Sequence, residues 1–218
     1  MSNEQSVKLY LDAFWISPYS FSAFVALTEK RVAFDVIELA LQKAEHRQEK
    51  LASTLLTGRI PAIAHGAFTL SESSAIVEYL DETFPAPTHQ ALLPSGREDR
   101  ARARMLMAWV RSDLMPIREE RATSTMFYER AKAPLSDAAA EAADRLLRVA
   151  DTLIPDGSSY LFADAWTIAD ADLAFMLQRL IMSGHRTSAK IGNFVERQWA
   201  RPSVRAFADH KRPPFERY

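Results

Sequence analysis

Hydrophobic positions along the chain keep two different rhythms. Val7–Leu11 (VKLYL) alternates apolar and polar residues, the period of a strand with one buried face. A loop, Asp12–Ser17, follows it. From Pro18, residues Phe21, Phe24, Val25 and Leu27 recur at helical spacing. Ser17-Pro18 suits a helix start, with a hydroxyl at the N-cap and proline at the first helical position. Phe34–Glu38 (FDVIE) reads as a second strand, and Ala44–Leu56 as a short polar helix. Ala62–Ala64 and Ala67–Leu70 flank His65-Gly66, the pattern of a hairpin. Ser71–Ser74 opens a helix that runs to about Phe84 and is stopped by Pro85 and Pro87. The predicted order is β-α-β-α-β-β-α, whose first three elements imply a parallel strand pair with a crossover helix.

Strand signals then stop. Pro85–Gly96 carries three prolines and little periodicity, so it reads as a linker. Beyond it the pattern is helical throughout. Arg97–Glu129 predicts a long amphipathic helix, with Met105, Ala108, Trp109 and Ser112 on one side and a kink at Pro116. Further helices are expected at Leu135–Leu153, Ile168–Ile181, Ile191–Trp199 and Pro202–His210. The fold class is thus an α/β domain over 1–86, a linker over 87–96 and an all-α domain over 97–218.

Composition narrows the chemistry. Of 218 residues 48% are hydrophobic, enough for a sizeable core, and the net charge of −1 gives no global pull towards nucleic acid or membrane. No apolar run approaches the roughly 18 residues of a membrane span. The first residues, MSNEQSVKLYLDAFW, lack a basic stretch followed by an apolar core, so a cytoplasmic protein is expected. There is no cysteine. Disulfides, thiolate metal sites and a protein-thiol nucleophile are therefore excluded, and any sulfur chemistry must use a thiol brought by a small molecule. No Gly-x-Gly-x-x-Gly follows the first strand, which removes the dinucleotide-binding reading. No His/Asp/Glu cluster has metal-ligand spacing, so no metal is expected.

Three short motifs fall in a fixed order across this framework. Arg59-Ile60-Pro61-Ala62 precedes the third strand, Glu72-Ser73 opens the last helix of the first domain, and Thr167-Ile168-Ala169-Asp170 lies in the helical domain. Together with the change of domain type, they resemble the glutathione transferase superfamily over essentially the whole chain. Arg111–Arg121 (RSDLMPIREER) is similar to a serine-type bacterial subgroup. The resemblance implies a thioredoxin-like first domain that binds glutathione, a second domain lining the other substrate's pocket, and a homodimer.

It also implies roles for particular residues. Ser17 would donate a hydrogen bond to the glutathione sulfur. A free thiol titrates near 8.5, and lowering it to about 7 takes roughly 2 kcal/mol. A hydroxyl donor at the positive end of a helix supplies that order of energy. Ser17 is also read as a plain N-cap, and the two roles are compatible because a hydroxyl accepts and donates at once. Ser20, Tyr10 and Tyr19 remain alternative donors. At Ile60-Pro61 the resemblance implies a cis bond that turns the Ile60 backbone towards the cysteinyl backbone of glutathione. Glu72 and Ser73 would hold the γ-glutamyl ammonium and carboxylate at a helix N-terminus, or simply cap that helix. Lys43, His46 and Arg59 are candidates for the glycyl carboxylate. Thr167 and Asp170 form a capping-box pattern read as structural, and the glycine expected before them is Ala163 here. The second-substrate pocket, expected between the domains, draws on Phe14, Trp15, Met115, Arg118, Met126 and Phe127, while Trp109 reads as core. An apolar wall of that kind suits small electrophiles.

Two function classes follow. One is a detoxifying transferase that conjugates or reduces electrophiles through a stabilised glutathione thiolate, peroxide reduction included. The other is a non-catalytic binding module on the same fold.

Overall fold

A computed structural model describes residues 6–162 and 165–216. Residues 1–5, the first part of the stretch read for a leader, and Ala163 lie outside the described residues. The chain divides into two compact units: Met1–Leu92 with Asp209–Tyr218, and Leu93–Ala208.

The first unit is built on a four-stranded sheet of order β2-β1-β3-β4. β1 (Val7–Asp12) runs parallel to β2 (Phe34–Leu39) and antiparallel to β3 (Ala62–His65), which pairs antiparallel with β4 (Phe68–Ser71). Alternation along β1 buries Val7, Leu9 and Leu11 completely and leaves Lys8 exposed. α1 (Pro18–Lys30) and α2 (Ser73–Thr83) pack against each other and onto the strands. Elsewhere Leu39, Leu55 and Ala62 form a smaller cluster with Tyr10, Ile37, Leu41, Leu51 and Ile60. Tyr10 is therefore a packing residue. The polar helix expected at Ala44–Leu56 is instead a series of single 3₁₀ turns at Leu41–Lys43, Glu45–Arg47 and Glu49–Leu51. Beyond Leu51 and Leu55 no apolar stripe at α-helical spacing stabilises a continuous helix there, and Ala44 sits in the left-handed region at φ 54°.

The buried ends of α1 and α2 are tied together. Lys30, fully buried, donates to Asp81 at 2.9 Å and to the Phe84 carbonyl at 2.8 Å. Asp81 also accepts from the Leu92 backbone, and His89 Nδ1 meets the Lys30 carbonyl, both at 2.8 Å. The segment read as a linker is thus partly folded onto this unit, with a cis bond at Ala86-Pro87.

The second unit is helical: α3 (Arg97–Ser112), α4 (Met115–Glu120), α5 (Ser124–Phe127), α6 (Asp137–Leu153), α7 (Ile168–Met182), α8 (Ala189–Trp199) and α9 (Pro202–Ala208). α7 lies at its centre, packed by α3, α5, α6 and α8 and buried on nearly every side. Among its charged residues, Asp172 pairs with Arg111 at 2.7 Å, and Arg179 donates to the Arg121 carbonyl at 3.0 Å. The long helix expected over Arg97–Glu129 is broken three residues before its register would reach α4. Leu114 adopts φ 63°, and the Asp113 carboxylate accepts from the Leu114 backbone and the Trp109 indole. Pro116 is not the cause, because it sits in the first turn of α4 where its missing N–H is harmless. The buried face of α3 is Ala103, Leu106, Met107 and Val110; the side carrying Met105, Ala108 and Ser112 is exposed. The tail after α9, expected to belong to the helical domain, packs with the sheet unit instead.

Candidate active site

Strand register gathers the motifs of the first unit. Tyr10 pairs with Ala62, and Ala62 with Ser71, so these three lie in one row across the sheet. Beyond that row the loop to Ser17, the Ile60-Pro61 bond and Glu72-Ser73 all leave from the same end. Leu39 pairs with Asp12, so the segment carrying His46 and Arg59 also departs there. Residues far apart in sequence are brought to one edge by backbone pairing alone.

Ser17 is the N-cap of α1, and its hydroxyl accepts from the Ser20 backbone at 3.2 Å. It is half-buried, whereas Ser20 is fully buried near the Asp12 carboxylate, without a well-formed hydrogen bond. The loop before Ser17 is fixed by Asp12, a residue that sequence reasoning passed over. Its buried carboxylate accepts from the Ile16 N–H at 2.8 Å and the Ser17 N–H at 3.3 Å, and its carbonyl from the Trp15 N–H at 2.9 Å. Burial pushes the Asp12 carboxyl above its usual range, and the backbone donors of Ile16 and Ser17 act against that shift. An aspartate ending a strand just before a Ser-Pro helix start was the available signal. Trp15 in this loop takes φ 51°, which costs a bulky residue of the order of 1–2 kcal/mol.

The Ile60-Pro61 bond is cis. β3 begins only at Ala62, so Ile60 lies outside the strand ladder. Glu72 holds φ 73° and ψ 116° at the N-cap of α2, where no side chain caps the helix. Glu72 itself does not cap the helix through its side chain. Its exposed carboxylate stands beside Ser73, which is buried at the first helical position. The buried Ser71 hydroxyl just before them has no hydrogen-bond partner among the described residues. A helix start with free amide dipoles is a natural seat for a carboxylate. His46 also carries a buried, unpartnered Nδ1. Its burial, and then the nearby charges of Arg47 and Arg59, lower its pKa, so it is neutral at pH 7. Arg59 and Lys43 are exposed.

Family models match both units: the glutathione S-transferase N-terminal domain over residues 6–82 and the C-terminal domain over residues 96–211. The chain belongs to the glutathione S-transferase family. A solved glutathione transferase homologue from Burkholderia GL BGR1, described with bound glutathione, is 44% identical, with a TM-score of 0.79 over 94% of this chain and 97% of its own. Maleylpyruvate isomerase from Ralstonia sp is 36% identical over 53% of this chain and 52% of its own length. Glutathione S-transferase U13 from Arabidopsis thaliana is 34% identical over 50% of this chain and 47% of its own. The chain spans about half the length of the curated relatives it matches.

In this chain the residues expected to line a second-substrate pocket have unlike surroundings. Phe14 and Trp15 are buried at 2% and 4% exposure within the sheet unit, packed rather than open. Phe215 meets the Phe14 ring edge-on, and His210 covers the Trp15 indole. Met126 is likewise core, at 2% exposure in the helical unit. Phe127 packs with Phe175 and Phe207, and Arg118 donates to the Arg111 carbonyl at 2.7 Å. Met115 is exposed. Trp109 is half-buried, not core. Among the described residues, no group of three or more His, Cys, Asp or Glu is placed to hold a metal ion, and no helix is long and apolar enough to cross a membrane.

Proposed function

We propose that this chain is a glutathione-dependent enzyme of the serine type, in which the Ser17 hydroxyl donates to the sulfur of bound glutathione and stabilises its thiolate. The observation that carries this reading is the state of Ser17. Its oxygen already accepts from the Ser20 amide, it is half-exposed, and it stands at the N-terminus of a helix of 13 residues. Its proton is thus available to a sulfur, and the helix dipole favours negative charge there. Glutathione lies along the sheet end. Its γ-glutamyl carboxylate caps α2 at Ser73, its ammonium faces Glu72, its cysteinyl backbone pairs with Ile60 beside Pro61, and its glycyl carboxylate meets His46 and Arg59. The thiol proton leaves to solvent, and the thiolate attacks a small electrophile to form a thioether. With a peroxide, the thiolate attacks one oxygen, the O–O bond breaks and the alcohol leaves, and a second glutathione converts the resulting sulfenic acid to glutathione disulfide and water.

The names of relatives favour a second outcome of the same thiolate. Maleylpyruvate isomerase from Ralstonia sp and a probable maleylacetoacetate isomerase from Vibrio cholerae are among them. Reversible addition of the thiolate to a double bond, rotation and elimination would isomerise a substrate without consuming glutathione. We assign the protein to the cytoplasm. We also assign a homodimer, as the family resemblance implies. Light scattering would return twice 24.6 kDa if that is right, and 24.6 kDa if it is wrong.

The deciding experiment is Ser17→Ala, read by the ultraviolet absorbance of bound thiolate against pH and by turnover with a model electrophile. Loss of one donor to the developing charge lowers turnover by about 10–100-fold and raises the thiol pKa. Unchanged absorbance and turnover would refute the role of Ser17. Absence of any glutathione binding to the wild-type protein by calorimetry would leave the non-catalytic module.

A further inference from the structure

The residues after α9 return to the sheet unit and grip the loop just ahead of Ser17. Arg212 donates to the Trp15 carbonyl oxygen from both Nε, at 3.2 Å, and Nη2, at 3.0 Å. Its Nη1 donates to the His210 carbonyl at 2.9 Å, which fixes the guanidinium to its own segment. The His210 ring lies flat on the Trp15 indole, with centroids 3.7 Å apart and planes 12° from parallel. Glu38 accepts from the indole Nε1 at 2.7 Å, and the same oxygen lies 3.6 Å from His210 Nε2. One residue earlier, Phe215 meets Phe14 edge-on at 5.3 Å.

These contacts fall on the part of the loop that needs them. Trp15 is held at φ 51°, a left-handed conformation that a bulky residue keeps only where its surroundings hold it. Asp12 holds the loop from one side, through the amides of Trp15, Ile16 and Ser17. The tail holds the opposite pole of the turn, the Trp15 carbonyl. Only Ile16 separates Trp15 from Ser17. Because peptide units are rigid planes, a change at the Trp15 carbonyl is transmitted to the Ser17 backbone.

We propose that Arg212 is a positioning residue for the reaction: by clamping the Trp15 carbonyl it holds the turn that presents the Ser17 hydroxyl to the thiol. The C-terminal segment is then part of the active-site scaffold. This inference rests on the reading of Ser17 as the thiolate's partner. Arg is suited to the task because its planar fork meets one oxygen with two N–H groups, whereas Lys offers a single charged point.

The test compares Arg212→Ala, Arg212→Lys and the exposed neighbour Lys211→Ala with the wild-type protein and with Ser17→Ala. Each is read by the pH titration of bound glutathione thiolate and by kcat and KM separately. Arg212→Ala should raise the thiol pKa and lower kcat by about tenfold, the scale of a small misplacement of a reacting group, with little change in the KM for glutathione. Arg212→Lys should fall between it and wild type, and Lys211→Ala should match wild type. A thermal melt confirms that each variant is folded. If Arg212→Ala fails to fold, Arg212→Lys decides: a raised thiol pKa supports the proposal and a wild-type titration overturns it. A folded Arg212→Ala with wild-type thiol pKa and kcat, or one altered only in melting temperature, also overturns it. If Ser17→Ala loses the thiolate while Arg212→Ala keeps it, only this inference fails. If Ser17→Ala keeps it, the reading of Ser17 fails and this inference with it.

Discussion

Two helix starts in this molecule solve the same problem in opposite ways. At the beginning of α7 the Asp170 carboxylate accepts from the Leu161 and Thr167 amides and the Thr167 hydroxyl, all within 2.7–2.8 Å, and the residue is fully buried. At the beginning of α2 no side chain caps the helix, Glu72 holds a left-handed φ, and the buried Ser71 hydroxyl beside it is without a partner among the described residues. The first start is closed and spends its polar groups on the fold. The second has no side-chain cap from its N-cap residue, at a local cost in stability. Hydroxyl-bearing and acidic residues mark both in the sequence. Only the backbone angles and the orphaned hydroxyl separate the two starts.

The comparison can be broken most severely at α7. Asp170→Ala strands three donors in the core and should cost about 3 kcal/mol in chemical unfolding, while glutathione affinity of the folded fraction stays unchanged. A fall in affinity at constant stability would reverse the roles given to the two sites. Acidity sharpens the same point. Burial pushes the Asp170 carboxyl from 3.8 up to about 6, so between these values the folded state holds a proton that the unfolded state has released. Stability from this group is therefore fully present below about pH 4 and is lost as pH rises through 6. The wild type should lose about 3 kcal/mol relative to Asp170→Asn between pH 4 and 7, measured by urea unfolding at each pH. At α2 the effects should appear in binding instead. Ser73→Ala should weaken glutathione about tenfold by calorimetry, equivalent to about 1.4 kcal/mol, with melting temperature nearly unmoved. The smallest effect belongs to Glu72→Gly. Relief of the left-handed backbone should stabilise the fold by up to about 1 kcal/mol while affinity falls. A destabilised variant would mean that Glu72 serves the fold after all.

Strands and most helices could be read from the chain because each depends on local period and local breakers. Val7–Leu11, Phe34–Glu38 and the hairpin around His65-Gly66 all form strands. The departures arise where local pattern is silent. Between Ala44 and Leu56 composition allows a helix but supplies no apolar face beyond Leu51 and Leu55, and single turns result. In the Arg97–Glu129 region the conspicuous breaker, Pro116, is not the break. An αL residue at Leu114, with Asp113 bonding its amide, is a tertiary choice. The site shows the same limit. Ile60-Pro61 and Glu72-Ser73 could be found as motifs. Asp12 offered only its place at the end of a strand, because it works through loop amides, and Arg212 offered nothing, because it meets a carbonyl 197 positions away. Phe14 and Trp15 looked like a substrate wall because aromatic residues in a loop suggest exposure, and the tail that covers them carries no local signal.

The Lys30–Asp81 pair has a consequence for how this sequence can change over time. An ammonium with no exposed surface, held by one carboxylate and one carbonyl, leaves each partner dependent on the other. Loss of either alone strands a buried charge, whereas replacing both with apolar residues of similar volume can be nearly neutral. Drift at these two positions should therefore proceed in paired steps. Descendants should carry both charges or neither, and a lineage that loses one should soon lose or restore the other.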